Sequence, residues 1–307
     1  VAKAVRFTRY GDPDVLTLDE VPTPEPGPRQ VRIRVRFAAV NAYDCKVRRG
    51  LFAQTPPDAP TGTGLEASGT IDAVGPRVTA WTPGQAVFGP LSPALATHAL
   101  ADTGDLVEKP DWLPFDEAAA LPVATETAHR TLRQLDVRPG QTLLIHAASG
   151  GVGQAAAQLA LARGARVIGT AGTRNHALLR ATGVHPVPYG EGLRDRIRAL
   201  APDGVDAVLD ASGRGVLALS VELAGSPEKV ITIADDHAAD HGVRFSGGGP
   251  GNTPAADVLT EVLPLVRRGA LRVPVGRVYP LDRAADAHRL SEQGHPGGKI
   301  LVAADHD

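Results

Sequence analysis

Leu143-Leu144-Ile145-His146-Ala147-Ala148-Ser149-Gly150-Gly151-Val152-Gly153 is the stretch whose reading decides the fold. A short apolar run gives way to small residues and glycines, and a segment rich in Ala, Leu and Gln follows from Val152 to Arg163. This is the pattern of a buried strand, a tight turn and a helix start. Gly150 and Gly153 stand at the second and third glycine positions of the dinucleotide fingerprint, with Ala148 where the first glycine usually sits. In that pattern the second glycine lets the backbone approach a pyrophosphate and the third lets the helix pack close to the strand. The helix N-terminus adds N–H donors and a partial positive charge. A plain glycine-rich turn is the competing reading, and the strand-to-helix context favours the cofactor one.

Downstream of about residue 117 the chain alternates strands and helices, the signature of a doubly wound parallel sheet. The spacing predicts strands at Arg166 to Ala171, Ala207 to Asp210, Lys229 to Ala234, Arg272 to Val275 and Lys299 to Ala303. The second of the cofactor strands discriminates between nicotinamide cofactors. An NAD site places Asp or Glu at its carboxyl end, ~20 residues past the glycines, to bind the ribose 2′-hydroxyl. Here that place falls on Ala171, followed by Gly172-Thr173-Arg174-Asn175-His176. With no carboxylate to repel a 2′-phosphate and Arg174 available to pair with it, NADPH is favoured over NADH. The plainer reading of Arg174 is a solvated charge at a helix start. Asp235 to Thr253 lacks periodicity, and its core, Gly247-Gly248-Gly249-Pro250-Gly251, reads equally as a lid or a surface excursion.

Upstream, the first ~120 residues read as β-rich and punctuated by turns. Val31-Arg32-Ile33-Arg34-Val35-Arg36 alternates with period 2, a strand with one wet face. A length of 307 residues suits two domains. The 43% hydrophobic and 21% charged composition and the net charge of −2 give no field for nucleic acid or an anionic membrane. Lys3, Arg6 and Arg9 interrupt the opening apolar residues, and the uncharged stretch from Gly140 to Ala162 splits into a strand and a helix, so a cytoplasmic location is expected. One cysteine, Cys45, excludes a disulfide framework or a Cys₄ zinc site. His237 and His241 stand four apart, but Ala238 holds the place where a metalloprotease needs Glu. No Tyr-x-x-x-Lys pair and no Gly-x-Ser-x-Gly elbow is present, against short-chain dehydrogenases and α/β-hydrolases.

The motif set resembles the medium-chain dehydrogenase/reductase superfamily, and within it the zinc-independent quinone oxidoreductase branch with zeta-crystallin and the enoyl reductases of polyketide pathways. The likeness is carried by Val40-Asn41-Ala42-Tyr43-Asp44, Gly64 to Gly69, Glu117-Ala118-Ala119-Ala120-Leu121-Pro122, Glu126-Thr127-Ala128, Ala147 to Gly153 and Gly298-Lys299-Ile300. It implies an α/β chain in which a GroES-like β-rich catalytic domain (1–116 and 272–307) is interrupted by a Rossmann domain (117–271). It also implies Asn41 and Thr127 by the nicotinamide and Ser149, Gly150, Gly151, Val152 and Gly153 under the pyrophosphate. Thr173, Arg174, His176 and Tyr189 would surround the 2′-phosphate and adenosine, with Ser212, Ile233 and Ala234 at later strand ends. His176 stands where the branch often carries Lys, which weakens the cationic pocket because His is only partly charged near neutral pH. A homodimer through an edge strand, expected at Lys229 to Ala234, is implied as well.

Zinc-dependent relatives place Cys in the segment occupied here by Val40 to Asp44 and His before Glu66, where this chain has Asn41 and Leu65. A catalytic zinc normally needs three protein ligands, so a metal-free reaction is expected. Without a Lewis acid the substrate must already be electrophilic: a quinone, a conjugated enone or an enoyl thioester. Tyr43 is the first candidate for an oxyanion donor or proton source, with packing near a cleft as the equal alternative, and Asn41 is its neighbour. Phe52, Phe88 and Phe245 are candidates to line an apolar pocket, although aromatics are more often simple core. Two functions stay open: an NADPH-dependent reductase, and a cofactor-binding structural or regulatory protein of zeta-crystallin type.

Overall fold

A computed structural model describes residues 1–53, 55–249, 251–294 and 297–304, so Pro250 of the glycine-rich segment lies outside the described residues. The chain divides into two compact units, one of Val1–Val123, Pro254–Arg267 and Val273–Asp307, the other of Ala124–Thr253 and Arg268–Arg272.

The first unit is built on the strand Gln30–Val40. Val31, Ile33 and Val35 point into the core, while the arginines between them face outward, as the period-2 pattern requires. The strand pairs antiparallel with Glu66–Val74, His98–Asp102 and Lys299–Ala303, and the sheet continues through Ala86–Pro90 to Val107–Glu108. Gly69 is required where these strands meet, because a Cβ there would lie 2.3 Å from the Arg34 carbonyl oxygen. Lys299–Ala303 enters from the far end of the chain, and its pairing of Ile300 with Val40 brings Lys299 to the start of the helix Ala42–Arg48. The edge strand beyond it is Val275–Pro280, so the expected strand at Arg272 to Val275 starts three residues late. Pro274 explains the shift: its carbonyl accepts the Lys299 N–H from outside the ladder, and proline has no N–H to return.

The second unit is a six-stranded sheet, all parallel. Its order is His185–Val187, Arg166–Thr170, Thr142–His146, Ala207–Asp210, Val230–Thr232, Arg244–Phe245. Strand order reverses between Thr142–His146 and its neighbour Ala207–Asp210, the switch point at which open α/β sheets bind ligands. The expected edge strand at Lys229 to Ala234 is corrected: Val230–Thr232 is internal, covered by Arg244–Phe245. Two residues are too few to carry a periodic signal.

The domain limits expected at 116 and 271 also differ from the contacts. The helix Phe115–Ala119 packs on Gln30–Val40 and Glu66–Val74, and the helix Ala255–Arg267 packs on Ala86–Pro90 and Val107–Glu108. Both therefore group with the first unit. No helix among the described residues is long and apolar enough to cross a membrane.

Candidate functional site

The turn after Thr142–His146 explains how the chain manages without a first glycine. Ala147 adopts φ of 56°, in the left-handed region, held by its N–H to Thr170 Oγ1 at 3.2 Å and by its carbonyl, which accepts the Gly150 N–H at 3.0 Å. Ala148 has room because glycine lies on the neighbouring strand instead: a Cβ at Gly169 would stand 2.6 Å from the Ala148 Cβ. Gly153 opens a close approach, since its Cβ would meet the Ala147 carbonyl oxygen at 2.3 Å. Gly150 caps the helix Gly151–Ala162 and is exposed, so the first-turn N–H groups of Gly151, Val152 and Gly153 face an open helix end. Ser149 Oγ accepts from Asn175 Nδ2 at 3.0 Å, which ties the glycine turn to the end of the second strand.

At that second strand end Ala171 is buried, and Thr173 and Arg174 are exposed on the 3₁₀ turn Thr173–Asn175. The Tyr189 hydroxyl lies 3.6 Å from where a Gly172 Cβ would be, and the ring is 56% exposed, so the phenol stands over the same turn. His176 is corrected. Its ring is buried and its Nε2 donates to the Ala171 carbonyl at 3.1 Å, so it braces the strand end.

Asp210 and Thr232 organise the later strand ends. The fully buried Asp210 Oδ1 accepts the Ser212 N–H at 2.8 Å and the Ser212 hydroxyl at 2.6 Å, while Oδ2 accepts the Thr232 hydroxyl at 2.8 Å. Thr232 Oγ1 in turn accepts the Ala234 N–H at 3.1 Å, and the Asp210 carbonyl takes the Ile233 N–H at 3.0 Å. Ser212, Ile233 and Ala234 are thus brought together by two residues that sequence reasoning misses. A signal for one of them exists: an acid ending the otherwise apolar strand Ala207–Asp210 needs buried partners. Beside them His146 bonds Thr170 and Ser220, and burial pushes its pKa down to about 4, which keeps it neutral at pH 7. Thr127, buried on the helix Pro122–Gln134, has its hydroxyl 3.4 Å from both Glu126 Oε2 and Arg130 Nη2.

In the first unit Asn41 is the N-cap of Ala42–Arg48 and forms a capping box with Asp44, whose carboxylate takes the Asn41 N–H at 2.7 Å. Asn41 Nδ2 donates to Glu66 Oε1 at 2.9 Å, and Lys299 Nζ donates to both Asn41 Oδ1 and Glu66 Oε1. Glu66 and Lys299 carry motif signals in the sequence, but their meeting does not. Burial raises the Asp44 pKa to about 6, against the lowering effects of the Asn41 N–H and Lys299. Tyr43, in the first turn of the same helix, is 49% exposed and stacks on Phe52 with ring centroids 5.1 Å apart, so it is not a core aromatic. Phe88, one of the three pocket candidates, is sealed in the sheet core, the commoner place for an aromatic. Cys45 is buried 3.5 Å from His288 Nδ1, its thiol pushed up to about 11 by burial, and is inert at neutral pH. His237 pairs with Asp240 on the surface, and no group of three His, Cys, Asp or Glu side chains among the described residues is arranged to hold a metal ion.

Residues 27–107 match the family described as alcohol dehydrogenase GroES-like domain, and residues 182–302 the family described as zinc-binding dehydrogenase. A quinone oxidoreductase of Pseudomonas aeruginosa is 32% identical over 98% of this chain and 100% of its own length. The pikromycin polyketide synthase component PikAII of Streptomyces venezuelae is 35% identical over 92% of this chain, which spans only 8% of that much longer protein. Among solved structures, mycobacterial Rv1454c complexed with NADPH superposes with a TM-score of 0.86 at 26% identity, covering 98% of this chain and 100% of that one. A glycine turn at a parallel-sheet switch point, a GroES-like partner unit and full-length similarity to a quinone oxidoreductase agree. The chain belongs to the medium-chain dehydrogenase/reductase superfamily, in its quinone oxidoreductase and enoyl reductase branch.

Proposed function

We propose that this chain is an NADPH-dependent, metal-independent reductase that delivers hydride to a quinone or to a conjugated carbon–carbon double bond. The observation that carries the reading is the carboxyl end of the parallel sheet. There an open helix N-terminus at Gly150 sits by a second strand that ends without a carboxylate and leads into the exposed Arg174.

The residues fit a phosphorylated dinucleotide. First-turn N–H groups of Gly151–Ala162 suit a pyrophosphate, and Gly150 leaves space because a Cβ there would meet only the Ala147 carbonyl oxygen, at 3.3 Å. Thr173 and Arg174 lie on the turn on which a 2′-phosphate and adenosine would rest, with the Tyr189 phenol over it, and Ser212, Ile233 and Ala234 follow the strands Ala207–Asp210 and Val230–Thr232. When bound, the cofactor supplies a hydride. Thr127 and Asn41 are assigned to the nicotinamide end by the family resemblance.

The remaining work falls to the catalytic unit. Hydride addition to a conjugated acceptor moves an electron pair onto its carbonyl oxygen, and that oxyanion must be stabilised and then protonated. Asn41 offers an amide N–H, and the exposed Tyr43 offers a phenolic hydroxyl as donor. Asn41 and Leu65 at the positions of zinc ligands in the zinc-dependent relatives support chemistry that needs no Lewis acid, and hence an acceptor activated by its own conjugation. The reading includes a cytoplasmic homodimer, with the exposed Phe245 on the sheet edge Arg244–Phe245 as part of the interface.

The test is steady-state oxidation of NADPH and NADH with quinones, enones and enoyl thioesters. Substrate-dependent turnover with kcat/KM at least about tenfold higher for NADPH, about 1.4 kcal/mol, is expected. Tight NADPH binding without turnover on any acceptor class would instead favour a structural or regulatory protein of zeta-crystallin type.

A further inference from the structure

Glu66 and Lys299 form an ion pair in the interior of the first unit, with Glu66 fully buried and Lys299 6% exposed. They meet because strand register dictates it: Ala67 pairs with Ala38 and Ile300 with Val40, so both residues lie at the strand ends beside Asn41. The second Glu66 oxygen is taken by the Val123 N–H at 2.7 Å. The pair therefore addresses one partly exposed group, the Asn41 side-chain amide, from two sides.

The chemistry of the two partners fixes how that amide lies. An ammonium only donates and a carboxylate only accepts. Lys299 therefore demands the amide oxygen and Glu66 the amide nitrogen, and a flipped Asn41 would oppose donor to donor and acceptor to acceptor against a buried ion pair. One Nδ2 hydrogen goes to Glu66 and the second is left for another acceptor. A positive charge on Oδ1 also polarises the amide and makes that second hydrogen a stronger donor.

We infer that Lys299 is a positioning residue: through Asn41 Oδ1, and together with Glu66, it holds the amide so that its second Nδ2 hydrogen serves an oxygen of the bound reactants, the acceptor carbonyl in particular. This rests on the reductase reading above. It adds a specificity criterion, namely that acceptors with a carbonyl oxygen conjugated to the reacting carbon use the amide, and those without one do not.

A buried ion pair by itself says little about function, and removing only one partner leaves an unpaired charge. The test therefore uses the full chain with Lys299→Met combined with Glu66→Gln, which removes both charges and lets residue 66 donate as well as accept. The first readout needs no turnover: the ¹H–¹⁵N resonance pair of the Asn41 side chain, assigned by its disappearance in Asn41→Ala. In the double variant this pair is expected to shift toward the position of a free amide. The second readout is kcat with a quinone, expressed per titrated cofactor-binding site so that misfolded protein does not count. It is expected to fall at least tenfold, with the NADPH dissociation constant unchanged within twofold. An unshifted Asn41 resonance, or wild-type kcat per site, overturns the inference. If the wild-type chain turns over no acceptor, the reductase reading fails, and the resonance alone still decides whether Lys299 orients Asn41.

Discussion

Two glycines three residues apart are predicted to fail in different ways. At Gly153 an added Cβ would lie 2.3 Å from the Ala147 carbonyl oxygen and 2.8 Å from the Ala148 Cα, both backbone atoms that cannot rotate away. Reaching ordinary contact requires the helix start to withdraw by about 1 Å, and overpacking of this kind costs roughly 1–3 kcal/mol. Gly153→Ala should therefore lower the melting temperature by roughly 2–12 °C and loosen cofactor binding as a by-product. At Gly150 φ is −76°, which any residue adopts, and the added Cβ meets a single atom at 3.3 Å. Losing a glycine N-cap costs no more than about 1 kcal/mol. The methyl group would, however, stand over the open helix end, where the pyrophosphate backbone approach is expected. Gly150→Ala should keep a near-wild-type melting temperature and weaken NADPH binding at least about tenfold, or 1.4 kcal/mol. Calorimetry and fluorescence titration with NADPH read the two effects separately. Wild-type NADPH affinity in Gly150→Ala would refute the phosphate-turn reasoning, and an unshifted melting temperature in Gly153→Ala would refute the packing reasoning.

Arg174→Ala is expected to raise the KM for NADPH at least several-fold and leave that for NADH nearly unchanged; equal effects on both would remove Arg174 from the 2′-phosphate site. The carboxyl of Asp44, raised from 3.8 to about 6, binds its proton more tightly in the folded chain, so the stability it contributes at pH 4 and below is lost as pH rises past 6, worth about 3 kcal/mol. Asp44→Asn should flatten that decline in denaturant titrations between pH 4 and 6.5, and parallel wild-type and variant slopes would count against it. His288 has the opposite sign: burial, with the Arg48 charge adding to it, lowers its pKa from 6.5 to about 3, so its stability is present above pH 6.5 and is lost as pH falls. A His288→Gln variant should lose about 3 kcal/mol less than wild type between pH 6.5 and 4, and an equal loss would exclude the histidine as the source. Sedimentation at micromolar concentration should give a dimer, and a monomer would rule out the proposed Arg244–Phe245 interface.

The parts of the site that depend on local spacing are legible in the sequence. Gly150 and Gly153 fall three apart between an apolar strand and a helix rich in Ala and Gln, and the missing acid at Ala171 is a matter of counting. What depends on which way a side chain turns is not legible there. His176 reads as a partly charged member of the pocket beside Arg174, yet packing turns its ring inward onto the Ala171 carbonyl. Gly169 substitutes for a first glycine only because its parallel pairing with Ile145 leaves it within reach of Ala148 in the turn that follows, a relation the linear sequence does not express. Asp210 is visible as an acid on an apolar strand, but its partner Thr232 lies on the next strand. Lys299 and Asn41, 258 residues apart, meet only through the register of an inserted C-terminal strand. Arg244–Phe245 is too short to announce itself, which is why the neighbouring strand reads as the sheet edge in sequence.

The central claim is hydride transfer from NADPH to a conjugated acceptor. Single-turnover mixing of the purified chain with NADPH, unlabelled or deuterated at the transferring C4 position, in the presence of a quinone or an enone tests it most directly. Stoichiometric loss of the reduced-nicotinamide signal, slowed by deuterium, is the predicted result. NADPH that binds tightly and stays reduced with every acceptor would contradict it.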